Sequence, residues 1–208
     1  MDIKSLKKFI GQLIPTLRIR CIARITLDAE LNKIFKKLKP GIVLDIGARE
    51  KRYISKIPHT KYLTLDIVKE NKPDIVSDAH DIKWKSNYFD TVIATEVLEH
   101  CYDPQKVVDE IYRILKKGGA CVLSTRFIYP YHPDPKDFYR FTWDSLNYLF
   151  RKFRKVEIKS HGNKLHSIWG LINQGYLSII LNIFNPLLAI INFKRTKSPC
   201  GFVVYARK

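Results

Sequence analysis

The sequence predicts an α/β protein built on a doubly wound, mostly parallel sheet. Short apolar runs, several of them ending in an acid, alternate along the chain with segments of helical periodicity. Strands that helices bury on both faces have this pattern. The first run, 42–45, leads into Gly47 and a charged segment. We therefore predict that the first strand turns sharply into a helix at Gly47, and that the free N–H groups of this helix face a ligand.

Seven runs have the composition of strands. They are 42–45, 62–66, 74–78, 89–96, 120–125, 156–158 and 201–205. The second run ends at Asp66, about twenty residues after Gly47, which is the spacing at which such sheets place a carboxylate against a ribose. Gly47 and Asp66 together indicate a ligand that contains a nucleoside.

Caps and periodicity place three helices. The first has its apolar residues at helical spacing within 27–38. The second begins after Asp103 as N-cap and is predicted to end at Gly118–Gly119, and the third begins after Thr142. We divide the chain into a helical lead-in, 1–39, and an α/β domain, 40–208.

The composition limits the partners. A chain of 208 residues supports one domain with a full-size core, and its net charge of +17 favours an anionic partner. Such a partner is a membrane face, a nucleic acid or a substrate that carries phosphate. The four cysteines form no CxxC pair, so we expect reduced thiols and no structural metal. No secretory signal is evident, and a cytoplasmic protein is expected.

The N-terminal segment 3–14 has apolar residues at helical spacing and lysines on the other side. This pattern predicts a basic amphipathic helix. Two uses are open: the helix lies on an anionic membrane, or it covers an edge of the domain.

Another long segment, 166–193, contains no Asp, Glu, Lys or Arg. It is long enough to span a bilayer. However, neutral polar residues recur within it every three or four positions, and Pro186 interrupts it. We favour a pair of helices lying in the membrane interface, anchored by the basic residues at 194, 195 and 197. The alternative is a helical cap on the sheet or a dimer interface.

Seven motifs in order resemble those of class I S-adenosylmethionine-dependent methyltransferases, in particular the type 11 group related to ubiquinone-biosynthesis enzymes. They are Leu44–Gly47, Asp66, Ser77–Ala79, Phe89–Asp90, Glu96–His100, Asp103–Pro104 and Leu115–Gly119. The resemblance covers roughly 40–160 and the last strand. It implies a Rossmann-like, seven-stranded sheet whose final strand is antiparallel.

The resemblance also implies S-adenosyl-L-methionine as cofactor. It places Gly47 against the methionine part, Asp66 at the ribose hydroxyls, and Asp78 with Ala79 at the adenine. A carboxylate accepts two hydroxyl donors well, which agrees with the assignment of Asp66. The same cleft is expected to include the side chains at the ends of the first and fourth strands, Asp45 and Glu96.

One feature departs from the family pattern. Where the family repeats glycine, this chain has Ala48-Arg49-Glu50. Either the loop is displaced so that Arg49 faces solvent, or cofactor binding is weakened.

The segment 129–142 is rich in proline and aromatic residues and contains His132. It resembles a subgroup that is associated with cell-surface polysaccharide biosynthesis. His132 is our candidate general base, oriented by Asp137, and His100 is the second candidate. For both histidines a purely structural role is the alternative.

Three further residues of this segment are candidate substrate contacts: Tyr131, Tyr139 and Arg140. Arg140 either binds a substrate phosphate or pairs with Asp137. The aromatic side chains either stack on a sugar or form the small core of a lid.

We predict an S-adenosylmethionine-dependent methyltransferase that acts on an oxygen of a small or lipid-linked glycan-type acceptor near the inner face of a membrane. An RNA methyltransferase is the second interpretation, favoured by the charge of +17 but opposed by the lack of a recognisable RNA-binding motif. A non-catalytic binding protein with the same fold is the third, favoured by Arg49.

Overall fold

A seven-stranded sheet forms the centre of the computed structural model, which describes residues 21–133, 136–174, 178, 181–191 and 196–208. The strands are β1 (Ile42–Ile46), β2 (Lys61–Asp66), β3 (Ile75–Val76), β4 (Phe89–Thr95), β5 (Leu115–Arg126), β6 (Lys155–His161) and β7 (Gly201–Arg207). Their order across the sheet is β3-β2-β1-β4-β5-β7-β6, and β7 runs antiparallel to both of its neighbours. The predicted fold class is therefore confirmed.

The position of β1 creates the site. It pairs in parallel with β2 on one side and with β4 on the other. The loops that leave β1 and β4 therefore diverge at the carboxyl end of the sheet, and open α/β sheets bind ligands in the crevice at this point.

The described helices flank the sheet. They are α1 (Ile22–Phe35), α2 (Pro104–Ile114), α3 (Trp143–Leu149), α4 (Lys164–Ile172) and α5 (Asn185–Ile190), with 3-10 helices at Ile54–Lys56, Lys69–Asn71, Leu98–His100 and Asn182–Phe184. Both predicted N-caps are confirmed. Asp103 accepts a hydrogen bond from the backbone N–H of Lys106, and Thr142 forms a capping box with Ser145.

Apolar side chains fill both faces of the sheet. On one face, α2 and α3 cover a cluster that includes Leu44, Val92 and Leu123. On the other face, Leu27, Leu31, Ile34 and Phe35 of α1 pack with strand residues such as Val43 and Val122. Although α1 lies in the segment that we called a lead-in, it forms one side of the same core.

The prediction of a helix directly after β1 is wrong. Residues 47–60 contain a single 3-10 turn, Ile54–Lys56. Tyr53 of this connection packs on Phe35 of α1, with ring centroids 5.3 Å apart, and donates a hydrogen bond to Asp28. Tyr53 and α1 therefore pack together in place of the predicted helix. As a result, the loop after Gly47 has no α-helical N-terminus that could bind a ligand.

The predicted boundaries around Gly118–Gly119 are also wrong. Helix α2 ends at Ile114, and the pair of glycines lies inside β5. The strand starts early because Leu115 pairs with Phe89, and Gly118 takes a φ of +74° while its N–H donates to the carbonyl of Lys208. The third strand is shorter than predicted, Ile75–Val76. The N-terminal helix predicted over 3–14 and the basic residues at 194 and 195 lie outside the described residues.

The burial of α1 predicts a large loss of stability when its inner face is truncated. Leu31 has no exposed surface, so Leu31→Ala should lower the free energy of unfolding by about 2 to 5 kcal/mol. Lys33→Ala, on the exposed face of the same helix, should change it by about 0.5 kcal/mol or less. Urea denaturation measures both. Equal losses for the two variants would place α1 outside the core.

Candidate active site

A cavity of about 750 Å³ opens at the carboxyl ends of β1, β2, β4 and β5. A volume in this range suits a cofactor together with a small acceptor. Eight of the residues selected from the sequence line it: Asp45, Gly47, Asp66, Asp78, Ala79, Glu96, His100 and His132. The fold thus brings together residues that are far apart in the chain.

Gly47 occupies a position that excludes other side chains. Its φ is +70°, and a Cβ built on it would lie 2.6 Å from Cγ2 of Val97. The N–H of Gly47 donates to the carbonyl of Leu65 on β2, at 2.7 Å. Arg49 is exposed at the cavity, and its backbone N–H donates to the carbonyl of Gly47. Because Arg49 lines the cavity itself, its exposure does not decide between the two alternatives predicted for this loop.

Asp66 ends β2 with a buried, oriented carboxylate. One oxygen accepts from the backbone N–H of Val68 and the other from the side-chain amide of Asn71, each at 2.9 Å. A carboxylate has about four lone-pair sites. Two acceptor sites therefore remain for donors in the cavity, which is the number that a ribose diol needs.

Asp78 lies at the same end of the cavity. Its Oδ1 accepts from the backbone N–H of His80 at 2.8 Å and lies 2.6 Å from the Nδ1 of the same residue. Partial burial opposes ionisation, but these two hydrogen bonds outweigh it and hold the pKa of Asp78 below its usual value. The His80 ring stacks on Tyr102 with a centroid distance of 4.0 Å. A polar group and a flat aromatic surface thus occur together here.

Asp45 is buried beneath the loop after β1. Burial raises the pKa of its carboxyl to about 7, although the hydroxyl of Tyr62 donates to it at 2.6 Å and acts in the opposite direction. The residue is nearly inaccessible, so Asp45 lies in the wall of the cavity beneath this loop.

A buried ion pair lies at the ends of β4 and β5. Glu96 adopts a φ of +58° and accepts from the hydroxyl of Ser124 at 3.0 Å, and it pairs with Arg126. Burial raises the pKa of Glu96, but Arg126 and Arg24 outweigh it, and the net shift is downward. The guanidinium of Arg126 also lies 3.9 Å from the ring centroid of Tyr129. Glu96 is therefore ionised and already has a partner.

Sequence reasoning missed the two arginines. Arg126 directly follows the apolar run of β5, where ligand-binding residues gather, and this position was a usable signal. Arg24 lies on α1 and reaches the cavity, where it donates to the hydroxyl of Tyr53 at 3.3 Å. No local pattern marks Arg24, because its place in the cavity depends on how α1 packs.

His132 is anchored on one side. Its backbone N–H donates to Asp137 at 3.0 Å, and its Nδ1 lies 3.2 Å from both a carboxylate oxygen of Asp137 and the carbonyl of Pro130. Burial lowers the pKa of His132 below 6.5, with Asp137 acting in the opposite direction. The ring is therefore neutral at pH 7. With two acceptors near Nδ1, we assign the proton to that nitrogen and the free lone pair to Nε2.

Asp137 is itself fixed by Arg140. The two nitrogens of the guanidinium lie 2.5 and 2.6 Å from the two carboxylate oxygens. This bidentate pair, first among the causes, holds the pKa of Asp137 far below its usual value. Of the two uses predicted for Arg140, the structure therefore shows the pairing with Asp137.

The predicted substrate contacts lie beside the cavity. Tyr131, Tyr139 and Arg140 are not among the described residues that line it. Tyr131 is 75% exposed, and the hydroxyl of Tyr139 donates to the carbonyl of Tyr102 at 3.1 Å. A role for these three residues in binding the acceptor stays a prediction.

His100 contacts the other candidate base. Its ring lies 4.9 Å from that of His132 at a steep angle, and its Nδ1 bonds the carbonyl of Lys136. The donor atoms of Glu99, His100 and His132 lie within 4.8 Å of one another, so these residues could hold a metal ion. Burial raises the pKa of Glu99 to about 8, and a metal ion would have to displace this proton.

Comparison with known proteins finds sequence similarity to methyltransferases. Residues 44–123 match a family model described as "Methyltransferase domain". The sequence is 32% identical over 93 residues to a chloroplastic 2-methyl-6-phytyl-1,4-hydroquinone methyltransferase from Arabidopsis thaliana, covering 43% of this chain and 27% of that protein. It is 51% identical over 37 residues to a ubiquinone biosynthesis O-methyltransferase from Psychrobacter cryohalolentis, covering 18% and 14%. The chain thus spans about a quarter or less of each of these two relatives.

The fold is also similar to that of solved structures. One is a SAM-dependent methyltransferase from Thermotoga maritima, described as a possible histamine N-methyltransferase. It has a TM-score of 0.60, 16% identity and coverage of 97% of both chains. The protein therefore has the class I methyltransferase fold. Within it, residues 44–123 are the part that matches the methyltransferase-domain model.

The raised pKa of Asp45 predicts that the protein loses folding stability as the pH rises, and that Asp45→Asn removes this loss. In the unfolded chain this carboxyl ionises near pH 4, whereas in the folded protein it stays protonated until about pH 7. Its contribution to stability is thus present below pH 4 and is lost as the pH rises to 7, by up to about 1.4 kcal/mol per pH unit. Relative to wild type, the variant should gain stability across this window in urea denaturation. Parallel pH profiles would contradict the assignment.

Proposed function

We propose that the protein transfers a methyl group from S-adenosylmethionine to an oxygen of a small acceptor. The observation that carries the proposal is the shared cavity, in which Gly47, Asp66 and Asp78 lie with the neutral imidazole of His132. The first three residues suit a nucleoside cofactor, and the last suits an acceptor hydroxyl. The match of 44–123 to the methyltransferase domain supports the same reaction.

The described residues fit the cofactor. Gly47 lines the cavity as exposed backbone that the methionine part can approach, and Asp66 has acceptor sites left for two ribose hydroxyls. Asp78, Ala79 and the exposed ring of Tyr102 offer polar and stacking contacts to the adenine. When bound, the cofactor supplies an electrophilic methyl group on a sulfonium. Most of the protein's work is then to align the acceptor and exclude water.

His132 is proposed to remove the acceptor's proton. An acceptor hydroxyl within hydrogen-bond reach of Nε2 can pass its proton to the free lone pair as the oxygen attacks. Asp137 and the carbonyl of Pro130 hold the Nδ1 proton and stabilise the imidazolium that forms. Arg140 keeps Asp137 in place. The name of the Psychrobacter relative, an O-methyltransferase, supports oxygen as the methylated atom.

We further propose that the acceptor is of the glycan type, free or linked to lipid, and that the protein meets it at the inner face of a membrane. Phe138 lines the cavity and is 46% exposed, which suits stacking on a sugar ring. The net charge of +17 favours an anionic surface or a phosphate-bearing acceptor.

Cofactor binding tests the first part of the proposal. Asp66→Asn should weaken binding of both S-adenosylmethionine and its demethylated product by about 1.5 to 3 kcal/mol, because hydrogen bonds to a charged group are lost. Isothermal titration calorimetry measures this difference. Asp144→Asn, in the exposed first turn of α3, is the matched control and should bind like wild type. If wild type fails to bind millimolar cofactor, the fold serves a non-catalytic role.

The role of His132 is tested by turnover. His132→Ala should lower methyl transfer by about 10² to 10⁴ with unchanged cofactor affinity, and the wild-type rate should fall as the pH drops through a pKa below 6.5. The measurement is incorporation of labelled methyl into a lipid and glycan extract, with a parallel arm that contains RNA. His100→Ala is the comparison variant. Unchanged turnover in His132→Ala would mean that this histidine has a structural role only. Methyl label in the RNA arm would mean that the acceptor is RNA and not a glycan.

A further inference from the structure

The insertion between β6 and β7 has polar side chains on its inside. Asn182 accepts hydrogen bonds from the amides of Asn173 and Asn185, at 2.8 and 2.6 Å, and Asn185 accepts one from the indole of Trp169 at 2.7 Å. His166 bonds the carbonyl of Leu188 at 2.9 Å. All of these residues but Trp169 and Leu188 are buried. Of the polar stripe predicted from the sequence, Ser178, Asn182 and Asn185 are buried and lie on the inner face. Gln174 is exposed, and the stripe's last residue, at 192, lies outside the described residues.

The opposite face of the insertion is apolar. Six large side chains on α4 and on the 182–190 segment are about half exposed or more, namely Leu171, Ile172, Ile183, Phe184, Leu187 and Ile190. Outside the insertion, Ile67 and Val76 are the described aliphatic side chains that are at least half exposed. Helices α4 and α5 both pack on α1. Hydrogen bonds from Trp169 to Asn185 and from Asn173 to Asn182 join the two parts of the insertion, so we treat their exposed apolar side chains as one surface. We call these six residues the outer face.

Basic residues flank the insertion in the sequence. After Glu157 the sequence contains no acid, whereas it contains Lys159, Lys164 and several basic residues from 194 onward. Lys164 at the start of α4 and Lys197 after the insertion are both exposed. An exposed apolar surface on a segment that basic residues flank is complementary to a layer of acyl chains beneath anionic head groups.

We infer that the outer face binds the surface of an anionic lipid bilayer, with α4 and α5 lying in the interface and Lys164 and Lys197 at the head groups. The inference deepens the membrane setting of the proposed function and rests on it, but it does not require methyl transfer. A second copy of this chain is a poorer partner, because each copy has a charge of +17 and the same acid-free segment. In the described part of the chain, no helix combines the length and the apolarity needed to cross a membrane.

The experiment is flotation of the purified full chain with vesicles of phosphatidylcholine, with and without phosphatidylglycerol. Wild type should float with the anionic vesicles, less so in high salt. Leu187→Gln combined with Ile190→Gln keeps the charge and should weaken binding by more than about tenfold. The matched control, Val76→Gln with Tyr148→Gln, removes exposed apolar groups from elsewhere and should float like wild type.

Charge is tested separately. Lys164→Gln and Lys197→Gln should each weaken binding to anionic vesicles by about fivefold, the equivalent of about 1 kcal/mol per basic residue. The control, Lys61→Gln, should have little effect, since Lys61 is an exposed residue on β2 and not part of the insertion.

Three outcomes would overturn the inference. The first is that wild type does not float with anionic vesicles. The second is that wild type sediments as a dimer and the Leu187→Gln, Ile190→Gln variant as a monomer, which would make the outer face a dimer interface. The third is that membrane binding resists alkaline carbonate, as the binding of a spanning helix does. Calorimetry with S-adenosylmethionine on the same proteins separates this inference from the proposed chemistry. Flotation without cofactor binding would contradict only the proposed methyl transfer. Cofactor binding without flotation would contradict only the proposed membrane binding by the outer face.

Discussion

The cavity depends on close packing between the turn after β1 and the turn after β4. Gly47 and Glu96 both adopt positive φ, and Val97 fills the space where a side chain on Gly47 would lie. For a residue such as Glu96 this backbone costs on the order of 1 to 3 kcal/mol. Two hydrogen bonds between Glu96 and Ser124 and the ion pair with Arg126 hold it there. Strain at this point is thus balanced by buried polar contacts that also shape the cavity wall.

The acceptor side is organised by the chain of contacts Arg140, Asp137 and His132. A bidentate arginine keeps Asp137 ionised and immobile, and Asp137 in turn holds the backbone and ring of His132. Because partial burial keeps the imidazole neutral, the arrangement suits a base that works near neutral pH. The proline-rich segment is therefore held by buried ionic contacts and not by its prolines alone.

The insertion has the reverse polarity of an ordinary surface helix pair. Among its described residues, Asn173, Asn182 and Asn185 hydrogen-bond to one another inside, and six large apolar side chains are exposed outside. In water this arrangement exposes apolar surface at a cost of roughly 25 cal/mol for each Å². A bilayer interface would remove that cost, and the acid-free sequence around the insertion would add electrostatic attraction to anionic lipid.

The sequence by itself determined the strand order along the chain, the caps of α2 and α3, and eight of the residues that the fold brings together in the cavity. These features follow from local signals, such as Asp66 at the end of an apolar run and Asp103 before a proline, and local signals survive folding. Only the tertiary structure decided that α1 and Tyr53 replace a helix after β1, that Arg24 enters the cavity, and that Asn182 and Asn185 point inward. A periodic pattern shows that a helix has two unlike faces. Which face is buried depends on what packs against it, and that is a property of the assembled fold.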